Sequence, residues 1–424
     1  MSDTGWLEDF PDEWRELRAD FLCYPYRETV SPERFEGRLV AHYSIPQVQE
    51  TGGPLIEPAD DIDSAKLLIR KPTLLVSKLN PRKKTICIAE PQGDFPTLAS
   101  GEFVPIQSDQ FDQRYAFYLW ASEKVTDRLS AIVQSATRSH QRVNPDDILK
   151  LPWKWPPLAT QKRIAAFLDK KIAQIDALIG KKQTLLDRLV EKRQAIITQA
   201  VTKGLNLAAP MKDSGIEWLG QIPAHWEVVP LRRMATTVVT GRTPPAAAGD
   251  FFTDGTIPWF TPGDFSGDIV LGGAEKFLTE DAFTEGLAVR YPTNVVLLVG
   301  IGATLGKVAL APSECSSNQQ INAIAVSDID DPTYLTLFLQ AFRDEVRMVA
   351  SGNTLPILNQ DKTKSILIAR PPRLEQQQIS SYAAATDREI ELLTSRIRTS
   401  IGLLTERRSA LITAAVTGQI EGLQ

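Results

Sequence analysis

The sequence predicts an α+β protein in which two globular, mixed α/β units alternate with two long helices that pair as an antiparallel coiled coil, the whole forming an internal twofold repeat. Three observations carry this. EKRQAIITQAVT at 191–202 recurs as ERRSALITAAVT at 406–417, with eight of twelve residues identical at an offset of 215. WLEDFPDEW at 6–14 recurs as WLGQIPAHW at 218–226, at an offset of 212. Each half then closes on a long stretch whose apolar residues return at alternating steps of four and three, the pattern of a coiled-coil seam. The implied boundaries are a first unit over 1–155, a helix over 156–204, a linker and second unit over 205–370, and a second helix with its tail over 371–424.

Within each unit, short runs such as Leu67 to Ile69, Thr85 to Ala89, Val295 to Val299 and Ala323 to Val326 predict strands between Pro- and Gly-rich loops. LLVSKLNPRKKTICIA (74–89) and LLVGIGATLGKVALA (297–311) occupy corresponding places. The second imitates a phosphate-cradling loop and fails the test for one. Ile301 stands five residues before Gly306 where glycine is needed, Val308 follows Lys307 where a hydroxyl is needed, and Gly300, Gly302 and Gly306 miss the dinucleotide spacing by one residue. The apolar flanks agree while the turns do not, so both stretches are strand–turn–strand hairpins carrying a lysine. YAFYLWASEKV and YLTLFLQAFRDEV predict one amphipathic helix in each unit, and GLNLAAPMKDSG is the linker between halves.

The long helices follow Pro156-Pro157 and Pro371-Pro372, with Thr160 as an expected N-cap and Gly204 and Gly418 as stops. The first seam runs through Leu168, Ile172, Ile175, Ile179, Lys182, Leu186, Leu189, Arg193, Ile196 and Ala200; the second, weaker at its start, through Ala383, Asp387, Ile390, Thr394, Ile397, Ile401, Leu404, Arg408, Leu411 and Ala415. Arg193 and Arg408 hold equivalent seam positions. An unpaired buried guanidinium is costly, so both are expected to snorkel outward to partner subunits. Residues 160–203 hold ten Lys plus Arg and four Asp plus Glu, a local balance of +6.

Composition excludes several classes. The chain carries a formal charge of −5, which counts against a free-standing DNA binder without excluding local basic patches. Cys23, Cys87 and Cys315 are odd in number and far apart, as are His42, His140 and His225, which gives little material for disulfides, a metal cluster or a histidine triad. An acidic first stretch and the lack of an 18-residue apolar run predict neither signal peptide nor membrane span, and so a cytoplasmic protein. An amino-methyltransferase would need Asp or Asn, two prolines and an aromatic in a row. The proline pairs here are Trp155-Pro156-Pro157-Leu158, Arg370-Pro371-Pro372-Arg373 and Thr243-Pro244-Pro245-Ala246, and none qualifies. NPDDILK imitates a nuclease carboxylate cluster, but its second copy NQDKTK lacks one acid, which favours a structural turn and cap. A coiled-coil scaffold explains the helices and leaves the globular units idle.

Binding chemistry remains. Lys78, Arg82, Lys83 and Lys84 form a basic turn, and Arg138, His140, Gln141 and Arg142 form a second cluster in the same unit. Arg242, Thr243, Lys307, Asn353, Thr354, Asn359 and Gln360 are the corresponding polar candidates in the second unit. Cations position phosphates, and Arg, Lys, Asn or Gln read base edges.

The doubled WL…P…W openings, the approach VASGNTLPILNQDKTKSILIARPPRLEQQQI with its partner SATRSHQRVNPDDILKLPWKWPPLATQKRI, and the helix ends AIITQAVT and ALITAAVT together resemble the specificity subunit of type I restriction-modification systems, over essentially the whole chain. The resemblance implies that the globular units are target recognition domains, each reading half of a bipartite, asymmetric site in double-stranded DNA. It further implies that the coiled coil spaces them and docks two methyltransferase subunits and, through these, restriction and translocase subunits. No cofactor is then expected in this chain; S-adenosylmethionine, ATP and magnesium would belong to the partners. Arg193 and Arg408 are the expected partner-facing residues.

Overall fold

The structure, a computed structural model, describes residues 5–24, 26–133, 141–246, 250–350 and 356–423. Two helices dominate it, Leu158–Lys203 and Arg373–Val416. Both begin directly after their proline pairs, where a fixed φ and a missing N–H cost nothing. Thr160 consequently lies inside the first turn rather than capping it. Among the described residues no helix is long and apolar enough to cross a membrane.

The chain divides into two compact units, Met1–Gln183 with Arg398–Gln424, and Thr184–Ile397. Each long helix begins in one unit and ends in the other, so each unit owns an antiparallel pair of half-helices. In the first unit Ile164, Ala165, Leu168 and Ile172 share a core with Ile412, Ala415 and Val416. In the second, Ile197, Ala200 and Val201 share one with Ile379 and Ala383.

In the first unit, a five-stranded sheet takes the order Thr29–Val30, Lys66–Ile69, Thr97–Ala99, Leu39–Tyr43, Leu55–Pro58, with its third and fourth strands parallel. A three-stranded antiparallel sheet places Thr73–Ser77 between Ile86–Ala89 and Phe103–Ile106. The second unit has a four-stranded antiparallel sheet in the order Ala235–Thr240, Ile321–Val326, Val295–Val299, Val308–Ala311. The two hairpins read from the sequence are thus Thr73–Ser77 with Ile86–Ala89 and Val295–Val299 with Val308–Ala311, and the latter pair is buried throughout, as its unbroken apolar runs require. The amphipathic segments form Gln113–Ala121 followed by Glu123–Ala131, and Pro332–Ala341 followed by Arg343–Val349.

The repeated residues hold the same joints twice. Buried Gln161 accepts from Asp112 N (2.8 Å) and donates to Pro156 O (2.8 Å); buried Gln376 accepts from Asp331 N (2.8 Å) and donates to Pro371 O (2.9 Å). Buried Tyr115 donates to Val416 O at the end of the second helix (3.1 Å); the buried Tyr334 hydroxyl reaches the end of the first, 3.3 Å from Val201 O, while donating to Ala369 O (2.5 Å). Leaving such a carbonyl unpaired in the core would cost roughly 1–3 kcal/mol. The tryptophan openings close the helix ends. Gly204 (φ 69°) and Gly418 (φ 75°) take the left-handed turn that ends each helix, and a Cβ on Gly204 would lie 3.2 Å from Trp226, one on Gly418 2.6 Å from Pro11 and 3.0 Å from Trp14. Short clasps, Arg15–Arg18 with Pro152–Trp155 and Glu227–Pro230 with Leu367–Arg370, then tie each unit's opening to the strand entering its helix.

Candidate nucleic-acid interface

In the first unit the basic turn leaves strand Thr73–Ser77 and is shaped by two left-handed residues, Asn80 (φ 46°) and Lys84 (φ 48°), around Pro81–Lys83. The segment at Gln141 and Arg142 runs alongside. Asn80 N donates to Gln141 O (2.8 Å), Val143 N donates to Lys78 O (2.9 Å), and Leu79 bridges Arg142. The structure therefore brings Lys78, Arg82, Lys83, Lys84, Gln141 and Arg142 together. Arg138 and His140 lie outside the described residues.

These cations are not equivalent. Arg142 Nη2 donates to Glu102 Oε1 at 2.7 Å, and Lys78 Nζ lies 3.8 Å from Glu102 Oε2. Lys84 Nζ lies 2.5 Å from Glu123 Oε1 and 3.3 Å from Ser409 Oγ, and the ammonium, together with the Ser409 hydroxyl, holds the Glu123 carboxyl below its ordinary value. Arg82 and Lys83 are exposed at the tip. The turn thus presents two solvent-facing cations on a base pinned by ion pairs. Sequence reasoning missed Glu102 and Glu123, because each is one acid among many until the fold sets it opposite a lysine.

In the second unit three segments meet at one end of the four-stranded sheet. Gly241 approaches the segment 317–318 so closely that a Cβ would fall 2.2 Å from Asn318 O, and Arg242 N donates to Ser317 O (3.0 Å). Leu358 N donates to Gly300 O (2.9 Å) and brings in the third. Asn322 donates to Leu358 O (2.7 Å) and Thr363 Oγ1 (3.0 Å) beneath them. Arg242 and Thr243 are exposed, with Arg242 Nη1 donating to Gly286 O (3.3 Å) and Thr243 Oγ1 donating to exposed Gln319 Oε1. The other candidates are held within the unit. Lys307 Nζ donates to Phe265 O (2.7 Å), Asn359 Oδ1 caps helix Gln360–Ser365 by accepting from Lys362 N (2.9 Å), and the Gln360 amide lies 3.1 Å from Thr240 Oγ1. Asn353 and Thr354 lie outside the described residues. Trp259 is buried and donates to Arg242 O (3.1 Å), a core role that also fixes the arginine's backbone.

Arg193 and Arg408, expected to face outward, are each paired with an acid of the opposite helix while keeping 31% and 41% of their side chains exposed. Arg193 turns across its helix pair onto Asp387, with Nε 2.6 Å from Oδ1 and Nη2 3.0 Å from Oδ2, and Arg408 Nε lies 3.1 Å from Asp176 Oδ1. Antiparallel pairing supplies the acids that the seam position demands. Burial pushes the thiols of Cys87 and Cys315 up to about 12, which leaves them inert at neutral pH.

Residues 223–401 match the family model described as the type I restriction modification DNA specificity domain. A curated relative, the specificity subunit of the type I restriction enzyme MjaIX from Methanocaldococcus jannaschii, is 28% identical over 177 residues, covering 41% of this chain and 40% of that protein's length. The fold extends the likeness. A chain solved in work on complex assembly and conformational transition of the type I R-M system superposes with a TM-score of 0.72 at 18% identity, over 97% of this chain and 99% of that one. The HsdS subunit from Thermoanaerobacter tengcongensis gives a TM-score of 0.57 at 18% identity, over 97% and 98%.

Proposed function

We propose that this chain, which belongs to the family of type I restriction-modification specificity subunits, reads a bipartite, asymmetric target in double-stranded DNA and positions partner subunits that carry out the chemistry. It is itself non-catalytic and works in the cytoplasm. Two methyltransferase subunits dock on it, and restriction and translocase subunits join through them; S-adenosylmethionine, ATP and magnesium reside on these partners. The match of residues 223–401 to a DNA specificity domain is the observation that carries the reading. The duplication supports its bipartite form, because each unit is closed by the same glutamine, tyrosine and glycine joints while presenting a different polar tip. A basic turn around Arg82 faces solvent in one unit, and an amide-rich platform around Thr243 does so in the other. Unlike tips on like frames are what an asymmetric two-part target requires.

The test is co-expression with the methyltransferase subunits of the same host, followed by mapping of methylated positions in genomic DNA. The expected result is one two-part, non-palindromic site, with no methyl transfer by the purified chain alone. Methyl transfer from labelled S-adenosylmethionine by the isolated chain overturns the non-catalytic reading, and a complex that methylates without sequence preference overturns the specificity role.

A further inference from the structure

Resting on that reading, we infer that Gln319 is the base-reading residue of the second unit and that it recognises an adenine in the half-site this unit contacts. Gln319 lies in the loop joining Ser316–Ser317 to Ile321–Val326, within the stretch SSNQQIN, and is exposed beside Arg242 and Thr243. Its neighbours on both sides are fixed. Ser317 is buried against Tyr291, with the two hydroxyls 3.0 Å apart; Asn318 is buried, accepts from Gln320 N (3.0 Å) and donates to Gln320 Oε1 (3.0 Å). Gly300 N donates to Gln320 O (2.7 Å) and Gly241 N to Ile321 O (3.0 Å). The loop is therefore clamped by two other segments, and only the Gln319 side chain leaves the clamp.

That side chain is already oriented. The Thr243 hydroxyl donates to Gln319 Oε1, which favours one orientation of the amide in the absence of DNA. A pre-positioned primary amide offers one acceptor and a donor pair side by side. Adenine presents the complementary edge in the major groove, N6–H donating and N7 accepting. Guanine shows two acceptors there and favours a guanidinium, which Arg242 on the adjoining strand end supplies for a neighbouring pair or a phosphate. Lys307, Asn359 and Gln360 are committed to bonds within the unit, whereas Gln319 combines exposure, rigidity and the right donor–acceptor pattern.

The experiment is a methylation map of the full complex carrying wild-type chain, Gln319→Ala or Gln319→Glu, with urea midpoints recorded for each. The wild-type site is expected to hold an adenine at a fixed position of one half-site. Gln319→Ala relaxes discrimination at that position by roughly ten- to hundredfold and leaves the other half-site strict. Gln319→Glu shifts the preference there toward cytosine, whose N4 amino group a carboxylate accepts. Unchanged base frequencies in both variants overturn the assignment, as does relaxation at a position that is not adenine. Loss of all modification in both variants at wild-type midpoints also overturns it, because losing one reader relaxes a site without abolishing recognition. A wild-type complex that modifies nothing overturns the proposed function instead.

Discussion

Arg193 holds Asp387 with two parallel hydrogen bonds, Nε to Oδ1 at 2.6 Å and Nη2 to Oδ2 at 3.0 Å, across the antiparallel helix pair. Its repeat counterpart Arg408 meets Asp176 at 3.1 Å. The arginines are equivalent at the offset of 215, but the acids are not, since the counterpart of Asp387 is Ile172 and that of Asp176 is Glu391. The same requirement has been met one helical turn apart in the two halves.

Asp387→Asn keeps the shape and removes the charge, which leaves a partly buried guanidinium with a neutral partner. The second unit is expected to lose about 1–2 kcal/mol, seen as a lower urea midpoint. Replacing both residues with Leu recovers most of the loss. A midpoint unmoved by the single change shows that the pair contributes nothing.

Gly418→Ala forces a Cβ into Pro11 while holding φ at 75°, and the proline ring cannot yield. A loss of about 2–3 kcal/mol is expected. Gly204→Ala meets chiefly the Glu375 carboxylate, at 2.8 Å on a flexible side chain, and should cost only about 1 kcal/mol. Thermal unfolding of the two variants side by side measures the difference; equal losses mean the proline contact is irrelevant.

Arg82 and Lys83 are the exposed cations of the basic turn, while Lys84 is engaged with Glu123. Changing Arg82 and Lys83 together to Ala should flatten the dependence of log binding constant on log salt by about 2, near 0.9 for each phosphate no longer neutralised. Lys84→Ala should alter that slope less and stability more. DNA-binding titrations of the complex at several salt concentrations decide, and an unchanged slope for the double variant would put this turn away from the duplex.

The Glu123 carboxyl is held below its ordinary 4.5 by hydrogen bonds first from Lys84 and then from Ser409. Because the folded value is depressed, the contribution is present above the unfolded value and lost as pH falls through the folded one. Glu123→Gln should therefore be less stable than wild type near pH 6 and converge with it in acid, below about pH 4.5. The exposure of the carboxylate keeps the gap to a few tenths of a kcal/mol. A gap that widens in acid would refute the linkage.

The frame was legible in the sequence because its joints are written twice. Gly204 and Gly418 and the paired Trp-Leu…Pro…Trp openings stood out by repetition, and each proved to hold one contact in both units. What repetition could not reveal is whatever differs between the copies. Asp387 and Asp176 occupy unequal positions, so the arginines' partners were invisible and an outward course was expected. The binding tips are unlike by their nature. Lys307, Asn359 and Gln360 looked as available as Thr243 until the fold showed their hydrogen bonds into the unit, and Gln319 resembled any loop amide until the close approach at Gly241 put it beside Thr243.

The division of the chain sets an order of completion during synthesis. The second unit, Thr184–Ile397, is contiguous and can close once its own residues have emerged. The first needs Val416 to accept from Tyr115 and Gly418 to seat Pro11 and Trp14. A ribosome delivers those partners last, roughly 400 residues after the tryptophan that waits for them, and the entropy of closing so long a loop rises only as its logarithm. Until then Trp14 and the Tyr115 hydroxyl lack these partners, so the unit translated first is completed after the second.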